Sequence, residues 1–210
     1  MGGESTLRDE TIFIASKDIE GVIASALLAR YHDEAYKEIG GKIGIIFINS
    51  SNELEGLEKS LSESRYIYVI NIGLKPNPVT VLSFAERLGR RFCYWYDNHG
   101  GWPQGIIDNS SRFSVYPGQS CAEQIPLADS IIGGKDFEPS SKQLVQDAIS
   151  IKRNAKDFEI SSESRLVRAA IHSDPKSNEV YENAFRYLSD VGVNKQDLVL
   201  KLAKHVVNRF

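Results

Sequence analysis

The chain has 210 residues, of which 41% are hydrophobic and 25% charged, which is the composition of a globular protein and excludes a collagen-like or disordered chain. Its formal net charge of −3 gives no general attraction to nucleic acid, although a local basic patch is compatible with it. No apolar stretch is long enough to span a membrane, and the N-terminus has no apolar signal core. We therefore expect a cytoplasmic protein without membrane contact, whose two cysteines stay reduced.

Short apolar runs rich in β-branched and aromatic residues predict the first strands. They cover residues 11–15, 42–49, 66–71 and 92–96. The runs are nearly continuous rather than alternating, which is typical of strands buried on both faces of a parallel sheet. Helical periodicity fills the intervals at 20–36, 50–62 and 78–89. Ser50 and Glu53 form a capping box at the start of the second of these helices, and His32 on the first is expected to face solvent.

Beyond residue 96 the pattern changes. A glycine-rich loop, DNHGGWPQG, is followed by a short extended piece, and Ser120 with Glu123 forms a second capping box that opens a helix. Helical patterns then occupy 141–157, 162–173, 177–190 and 194–208. We predict an α/β fold, with a parallel sheet of about five strands flanked by helices and followed by a helical C-terminal region. The predicted divisions are a flexible terminus at 1–9, an α/β domain at 10–135, and a helical region at 136–210 that packs on that domain or extends it.

The carboxyl ends of the strands are the expected place of a functional site, because ligands of open parallel sheets bind there. Asp18, Glu20, Asp97 and His99 all follow predicted strands. Carboxylates and an imidazole suit a divalent metal or a phosphate group, and two metals about 3.5–4 Å apart would activate a water molecule. The simpler alternative is that Asp18 caps the first helix and Asp97 caps a turn. The residue types alone leave both interpretations open.

Taken in order, several stretches resemble the motifs of the DHH phosphoesterase family, which is named for an Asp-His-His signature. They are TIFIASKDIEGVIASALL, YIYVINIG, YWYDNHGG and SCAEQI. The resemblance covers roughly residues 10–155, the usual size of such a domain. It implies an N-terminal parallel sheet, one or two Mn²⁺ or Mg²⁺ ions, and hydrolysis of a phosphodiester or phosphoanhydride. The substrate would be a phosphate-containing small molecule or a short nucleic acid.

The resemblance also implies roles for individual residues. Asp18, Glu20 and Asp97 would hold the metal, with Asn71 and Asn98 as neutral ligands. His99, with Asp97, would contact the phosphoryl group or act as an acid. Phosphate-binding candidates are Ser16, Lys17, Gly100, Gly101, Lys152 and Arg153.

The chain departs from the family pattern at several of these positions. Asn71 stands where the family has a bridging aspartate, and Asn98 replaces the first histidine of the signature. Where a fourth acid is expected, the chain has Lys152 and Arg153, with Asp147 as one of the flanking acids. Each loss of negative charge weakens a site that must hold about four positive charges.

Three functions are therefore compatible with the sequence. The first is a metal-dependent phosphoesterase, and the second is an inactive relative that binds protein, nucleotide or nucleic acid. The third is a nucleotide-binding α/β module unrelated to the family. Trp102 could stack on a base or pack locally. The apolar face of the last helix could pack on the domain, form a homodimer or bind a partner protein. That face comprises Leu198, Leu202, Val206 and Phe210.

Overall fold

The computed structural model describes residues 11–36, 43–57, 59–75, 78–109, 111–127, 138–190 and 194–207. The strands are β1 (Thr11–Ser16), β2 (Ile43–Ile48), β3 (Tyr66–Ile70), β4 (Phe92–Asp97) and β5 (Phe113–Val115). The α-helices are α1 (Ile19–Tyr36), α2 (Pro78–Leu88), α3 (Gln104–Asn109), α4 (Cys121–Leu127), α5 (Pro139–Lys152), α6 (Ser162–Ser173), α7 (Asn178–Ser189) and α8 (Lys195–Val207). Short 3₁₀ helices cover Ser51–Leu57, Gly89–Arg91 and Asp157–Glu159.

The strands form one parallel sheet in the order β2-β1-β3-β4-β5, which confirms the predicted fold class. After β1 the chain adds β2 on one side, and it then returns to place β3 on the other side of β1. The strand order thus reverses between β1 and β3. Such a reversal opens a crevice at the carboxyl ends of the two strands, which is the usual position of a ligand in an open α/β sheet.

Apolar residues cover both faces of the sheet, as the continuous runs predicted. On one face the side chains of Phe13, Tyr68 and Tyr96 pack in a cluster with α1 and with α4 to α8. On the other face Ile14, Val69 and other residues pack with α2 and the 3₁₀ helix Ser51–Leu57. The sheet is therefore the middle layer of a three-layer structure, and its loops converge at one edge.

The C-terminal helices share the core of the first face. Arg30 of α1 donates to the Leu188 carbonyl of α7 at 2.9 Å and to the Ser140 hydroxyl of α5 at 2.7 Å. In α8, Leu198 and Leu202 are buried against the domain, whereas Val206 is half-buried. The predicted terminus at 1–9, the boundary at 135 and 136, and Phe210 lie outside the described residues.

Some local predictions were wrong. The segment after β2 is the 3₁₀ helix Ser51–Leu57 followed by turns, not an α-helix to residue 62, and Glu53 accepts from the backbone of Asn49 rather than closing a box on Ser50. The short helix α3 was not predicted, because six residues are too few to show a helical period.

His32 does not face solvent as predicted. It is buried between the rings of Phe13 and Tyr68, at centroid distances of 5.6 and 4.8 Å. Its polar neighbours in the sequence suggested an exposed face, but α1 lies between the sheet and α7, so most of its surface is covered.

Both cysteines are free, Cys121 buried and Cys93 half-buried. Among the residues described, no helix is long and apolar enough to cross a membrane.

Candidate functional site

Asp18 ends the loop between β1 and α1 and caps the helix. Its Oδ1 accepts from the Gly21 backbone N–H at 2.7 Å, as the simpler interpretation of this residue predicted. Gly21 is required for this turn, since a Cβ there would lie 2.4 Å from the Ser16 carbonyl oxygen. Burial raises the pKa of Asp18, and the hydrogen bonds from Gly21, Ser16 and Asn71 oppose that rise.

Asn71 lies directly after β3 and reaches across to the β1 loop. Its backbone is left-handed, with φ of 56°, a conformation that asparagine tolerates better than most residues. The side-chain amide donates to Ser16 Oγ at 2.8 Å and to Asp18 Oδ2 at 3.1 Å. Its Oδ1 accepts from the thiol of Cys121 at 3.4 Å. Asn71 therefore presents its donors, not its acceptor, to the carboxylate.

Asp97 at the end of β4 is fully buried and holds two ring N–H groups in place. Its Oδ1 lies 2.6 Å from His99 Nδ1, and its Oδ2 accepts from Trp102 Nε1 at 2.6 Å. The hydrogen bond with Asp97 raises the pKa of His99 despite the opposing effect of burial. His99 is half-exposed, and Gly73 lets its ring approach, since a Cβ at Gly73 would lie 3.0 Å from His99 Cγ.

Glu20 in the first turn of α1 is the third carboxylate of the cluster. Its Oε1 accepts from Asn98 Nδ2 at 2.5 Å and from the Cys121 backbone N–H at 3.0 Å. Its Oε2 lies 3.6 Å from the ammonium of Lys152. Like Asn71, Asn98 turns its amide donors toward an acid.

The three carboxylates do not fit a preformed metal site. Each already accepts hydrogen bonds from protein groups, and for Asp18 and Glu20 an asparagine amide is among the donors. An N–H that points at a carboxylate stands in a direction from which a cation would otherwise approach. In the part of the chain that the structure describes, no group of three or more His, Cys, Asp or Glu side chains is arranged to hold a metal ion.

A cavity of about 310 Å³ opens beside this network, at the carboxyl ends of β1, β2 and β3. Ser16, Asp18 and Asn71 line it together with Lys75 and His99. The Ser50 region and Gly100 also line it. The cavity thus combines hydroxyl, amide and cationic groups at the crevice where the strand order reverses.

Other predicted site residues lie at different distances from the cavity. Lys17 turns away from it, donating to the Lys176 carbonyl at 2.8 Å with its ammonium 5.4 Å from the centroid of the Tyr181 ring. Lys152 meets Glu20, while Arg153 is exposed at the end of α5. Gly101 has a left-handed φ of 95° and lies beside Lys75.

The acids that flank Lys152 in the sequence have structural roles. Asp147 is buried and accepts from the hydroxyls of Ser161 and Ser164, so it joins α5 to the start of α6. Asp157 is exposed and lies 3.3 Å from the guanidinium of Arg168. Neither of these contacts involves the carboxylate cluster.

Sequence reasoning missed several members of the network. Cys121 was treated only as a thiol, yet its backbone N–H serves Glu20. Gln124 is buried and donates to the Asp97 carbonyl at 2.9 Å. Lys75 lies in a loop with no motif, and only its position after β3 could have indicated it. Trp102, for which two roles were open, is buried with its N–H on Asp97.

Comparisons with known proteins place this fold. No protein-family model matches the chain, and no curated protein does. Among solved structures, an uncharacterized protein from Helicobacter pylori G27 superposes with a TM-score of 0.61 at 12% identity, over 96% of this chain and 61% of that one. Exonuclease RecJ bound to manganese gives a TM-score of 0.54 at 15% identity, over 98% of this chain and 63% of that one. RecJ in complex with Mn²⁺ from Thermus thermophilus gives 0.52 at 16%, over 98% and 36%.

The fold is therefore of the DHH-like class, as the similarity to the two RecJ structures shows. At identities of 12 to 16%, the similarity defines the fold alone. The chain spans less than two thirds of the length of each of these proteins.

Proposed function

We propose that this chain is a catalytically silent DHH-like domain that binds a phosphate-bearing ligand, a nucleotide or the end of a short nucleic acid, without a metal ion. The observation that carries the proposal is the state of the three carboxylates. Asp18, Glu20 and Asp97 all accept hydrogen bonds from protein donors at 2.5 to 3.1 Å.

The two asparagines explain why metal-dependent hydrolysis is disfavoured. Hydrolysis by two metal ions needs several carboxylates to offset about four positive charges. Asn71 and Asn98 carry no charge, and both use their amide nitrogens as donors to acids. The network is balanced by hydrogen bonds without a divalent ion.

The cavity supports the binding part of the proposal. Lys75 and His99 provide cationic groups on its wall, and the pKa of His99 is raised by Asp97. Asn71 and the serines near Ser50 supply neutral hydrogen-bonding groups. Charged donors of this kind bind phosphate oxygens strongly. RecJ, which shares the fold, is an exonuclease, so a nucleic-acid end is the first ligand to test.

Hydrolysis is the second candidate, and the pair of Asp97 and His99 is the observation that favours it. A histidine oriented by a buried carboxylate is a common general acid or base. In this alternative a metal would be held by Asp18, Glu20 and Asp97 after the asparagine amides had rotated away.

Assays on chelator-stripped protein separate the two candidates. We expect no cleavage of single-stranded oligonucleotides or pyrophosphate with Mn²⁺, and no binding heat in a Mn²⁺ titration. Mn²⁺-dependent cleavage that falls by about 100-fold or more in both Asp18→Ala and His99→Ala would instead identify a hydrolase.

Ligand binding is tested with fluorescent oligonucleotides that differ only in a terminal phosphate. We expect the phosphorylated strand to bind more tightly, and Lys75→Ala to weaken it by roughly 10- to 100-fold, the scale of a hydrogen bond to a charged group. Lys201→Ala, an exposed lysine on α8, is the matched control and should bind as the wild type does. Equal affinity for both strands would contradict phosphate recognition.

A further inference from the structure

We propose that the ammonium group of Lys152 is the resident cation of the carboxylate cluster and stands in for a divalent metal ion there. This inference rests on the proposed metal-free function. Its geometric basis is the contact between Lys152 Nζ and Glu20 Oε2 at 3.6 Å, in which the two side chains are 32% and 15% exposed.

The backbone holds Lys152 firmly at this position. Lys152 is the last residue of α5, and Asn154 follows in the left-handed conformation with φ of 57°. Asn154 N–H donates to the Ile151 carbonyl at 2.9 Å, and Ala155 N–H donates to the Ser150 carbonyl at 2.9 Å. These two bonds form a Schellman motif, which fixes the end of the helix. A cation there is also favoured by the negative end of the helix dipole.

Glu20 leaves one oxygen for this cation. Its Oε1 receives the Asn98 amide and the Cys121 backbone N–H, and its Oε2 faces Lys152. The pair is only partly exposed, so solvent screens it less than it screens a surface ion pair. An Mn²⁺ ion at Glu20 would stand close to the ammonium, and two cations at that distance repel each other.

The influence of Lys152 extends beyond Glu20. Burial raises the pKa of the Cys121 thiol, the charges of Glu20, Asp97 and Asp18 add to that rise, and Lys152 opposes it. Lys152 also opposes the rise in the pKa of His99 that Asp97 causes. Its positive charge is therefore near enough to balance several members of the network.

The test compares Lys152→Ala and Lys152→Gln with Arg153→Gln. Arg153 is the next residue, is exposed and carries the same charge, so its variant controls for net charge. In Mn²⁺ titrations we expect both Lys152 variants to bind Mn²⁺ at least roughly tenfold more tightly than the wild type. Mn²⁺ should also raise their melting temperatures. Arg153→Gln and the conservative Lys152→Arg should both behave as the wild type.

Lys152 variants that match Arg153→Gln in Mn²⁺ affinity and melting temperature would overturn the inference. If neither Lys152 variant folds, Glu20→Gln combined with Lys152→Gln should restore folding, because the unpaired carboxylate is then gone. Failure of this double variant to fold would also overturn the inference. The proposed function fails separately, through Mn²⁺-dependent cleavage by the wild type.

Discussion

Asn71 and Asn98 change what the acids beside them accept. An aspartate at position 71 would place a second negative charge near Asp18, and only a bound cation would relieve that repulsion. The amide instead gives two N–H groups to Ser16 and Asp18. At the scale of single residues, these substitutions exchange charge balance by a metal for charge balance by hydrogen bonds.

Trp102→Phe should destabilise the fold more than the loss of apolar area explains. The change removes the N–H that Asp97 Oδ2 accepts at 2.6 Å, and both side chains are buried. Leaving that oxygen without its donor should lower the free energy of unfolding by about 1.5–3 kcal/mol, measured by urea denaturation. In an Asp97→Asn background the same change should cost less, because the acceptor is neutral. Equal losses in the two backgrounds would contradict this account.

His32 should make the fold sensitive to acid. Burial lowers the pKa of His32 from 6.5 to about 4, so the unfolded chain binds a proton more readily than the folded chain. The contribution of the neutral imidazole is complete above pH 6.5 and is lost as the pH falls toward 4. The full loss is on the order of 3 kcal/mol.

The measurement is the free energy of unfolding at pH 7 and at about pH 4.5. His32→Phe should lose less stability between the two than the wild type, because this titration is absent. His172→Gln, at an exposed histidine, is the control and should follow the wild type. A His32→Phe variant with the wild-type pH profile would show that the imidazole does not carry the effect.

At the scale of elements, the turn from β1 into α1 decides the geometry of the site. Gly21→Ala should place a methyl group 2.4 Å from the Ser16 carbonyl oxygen, so the backbone must shift. We expect a loss of about 2–4 kcal/mol in unfolding free energy and weaker ligand binding. Gly56→Ala, in the 3₁₀ helix Ser51–Leu57, has nothing within 4 Å of its added Cβ and should be nearly neutral. Similar losses in the two variants would contradict the close approach at Gly21.

Most elements follow from the sequence because local rules and packing agree. Continuous apolar runs marked β1 to β4, and the capping box at Ser120 marked α4, where Ser120 N–H does donate to Glu123 at 2.7 Å. The strand β5 has only three residues, too few for a pattern, so the sequence indicated no more than an extended piece. The 3₁₀ helix Ser51–Leu57 was misassigned because its hydrophobic spacing also fits an α-helix.

The site was predictable in its location but less so in its contacts. The rule that ligands bind at the carboxyl ends of strands brought Asp18, Asn71 and His99 together correctly at the cavity. The direction of a side chain such as Lys17 depends on packing against α7, which no local pattern carries. The same holds for Lys152, whose partner Glu20 is distant in sequence.

At the scale of the whole molecule, the sheet and the C-terminal helices should unfold together. Both contribute to one apolar cluster, and Arg30 joins α1, α5 and α7 through hydrogen bonds of 2.7 and 2.9 Å. Trp95 and Trp102 lie on the opposite face of the sheet, so their fluorescence reports that side, whereas far-UV circular dichroism reports mainly the helices. The two signals should give the same midpoint in urea. Separate midpoints would mean that the C-terminal helices form an independent unit.

The loop that joins β1 to α1 serves two neighbourhoods with alternating residues. Ser16 and Asp18 line the cavity, whereas Lys17 contacts Lys176 and Tyr181 on the helical side. Neighbouring residues in so short a segment cannot move independently. A partner that displaced Lys17 would therefore alter the affinity of the cavity, and by thermodynamic reciprocity an occupied cavity would alter the affinity for that partner by the same factor.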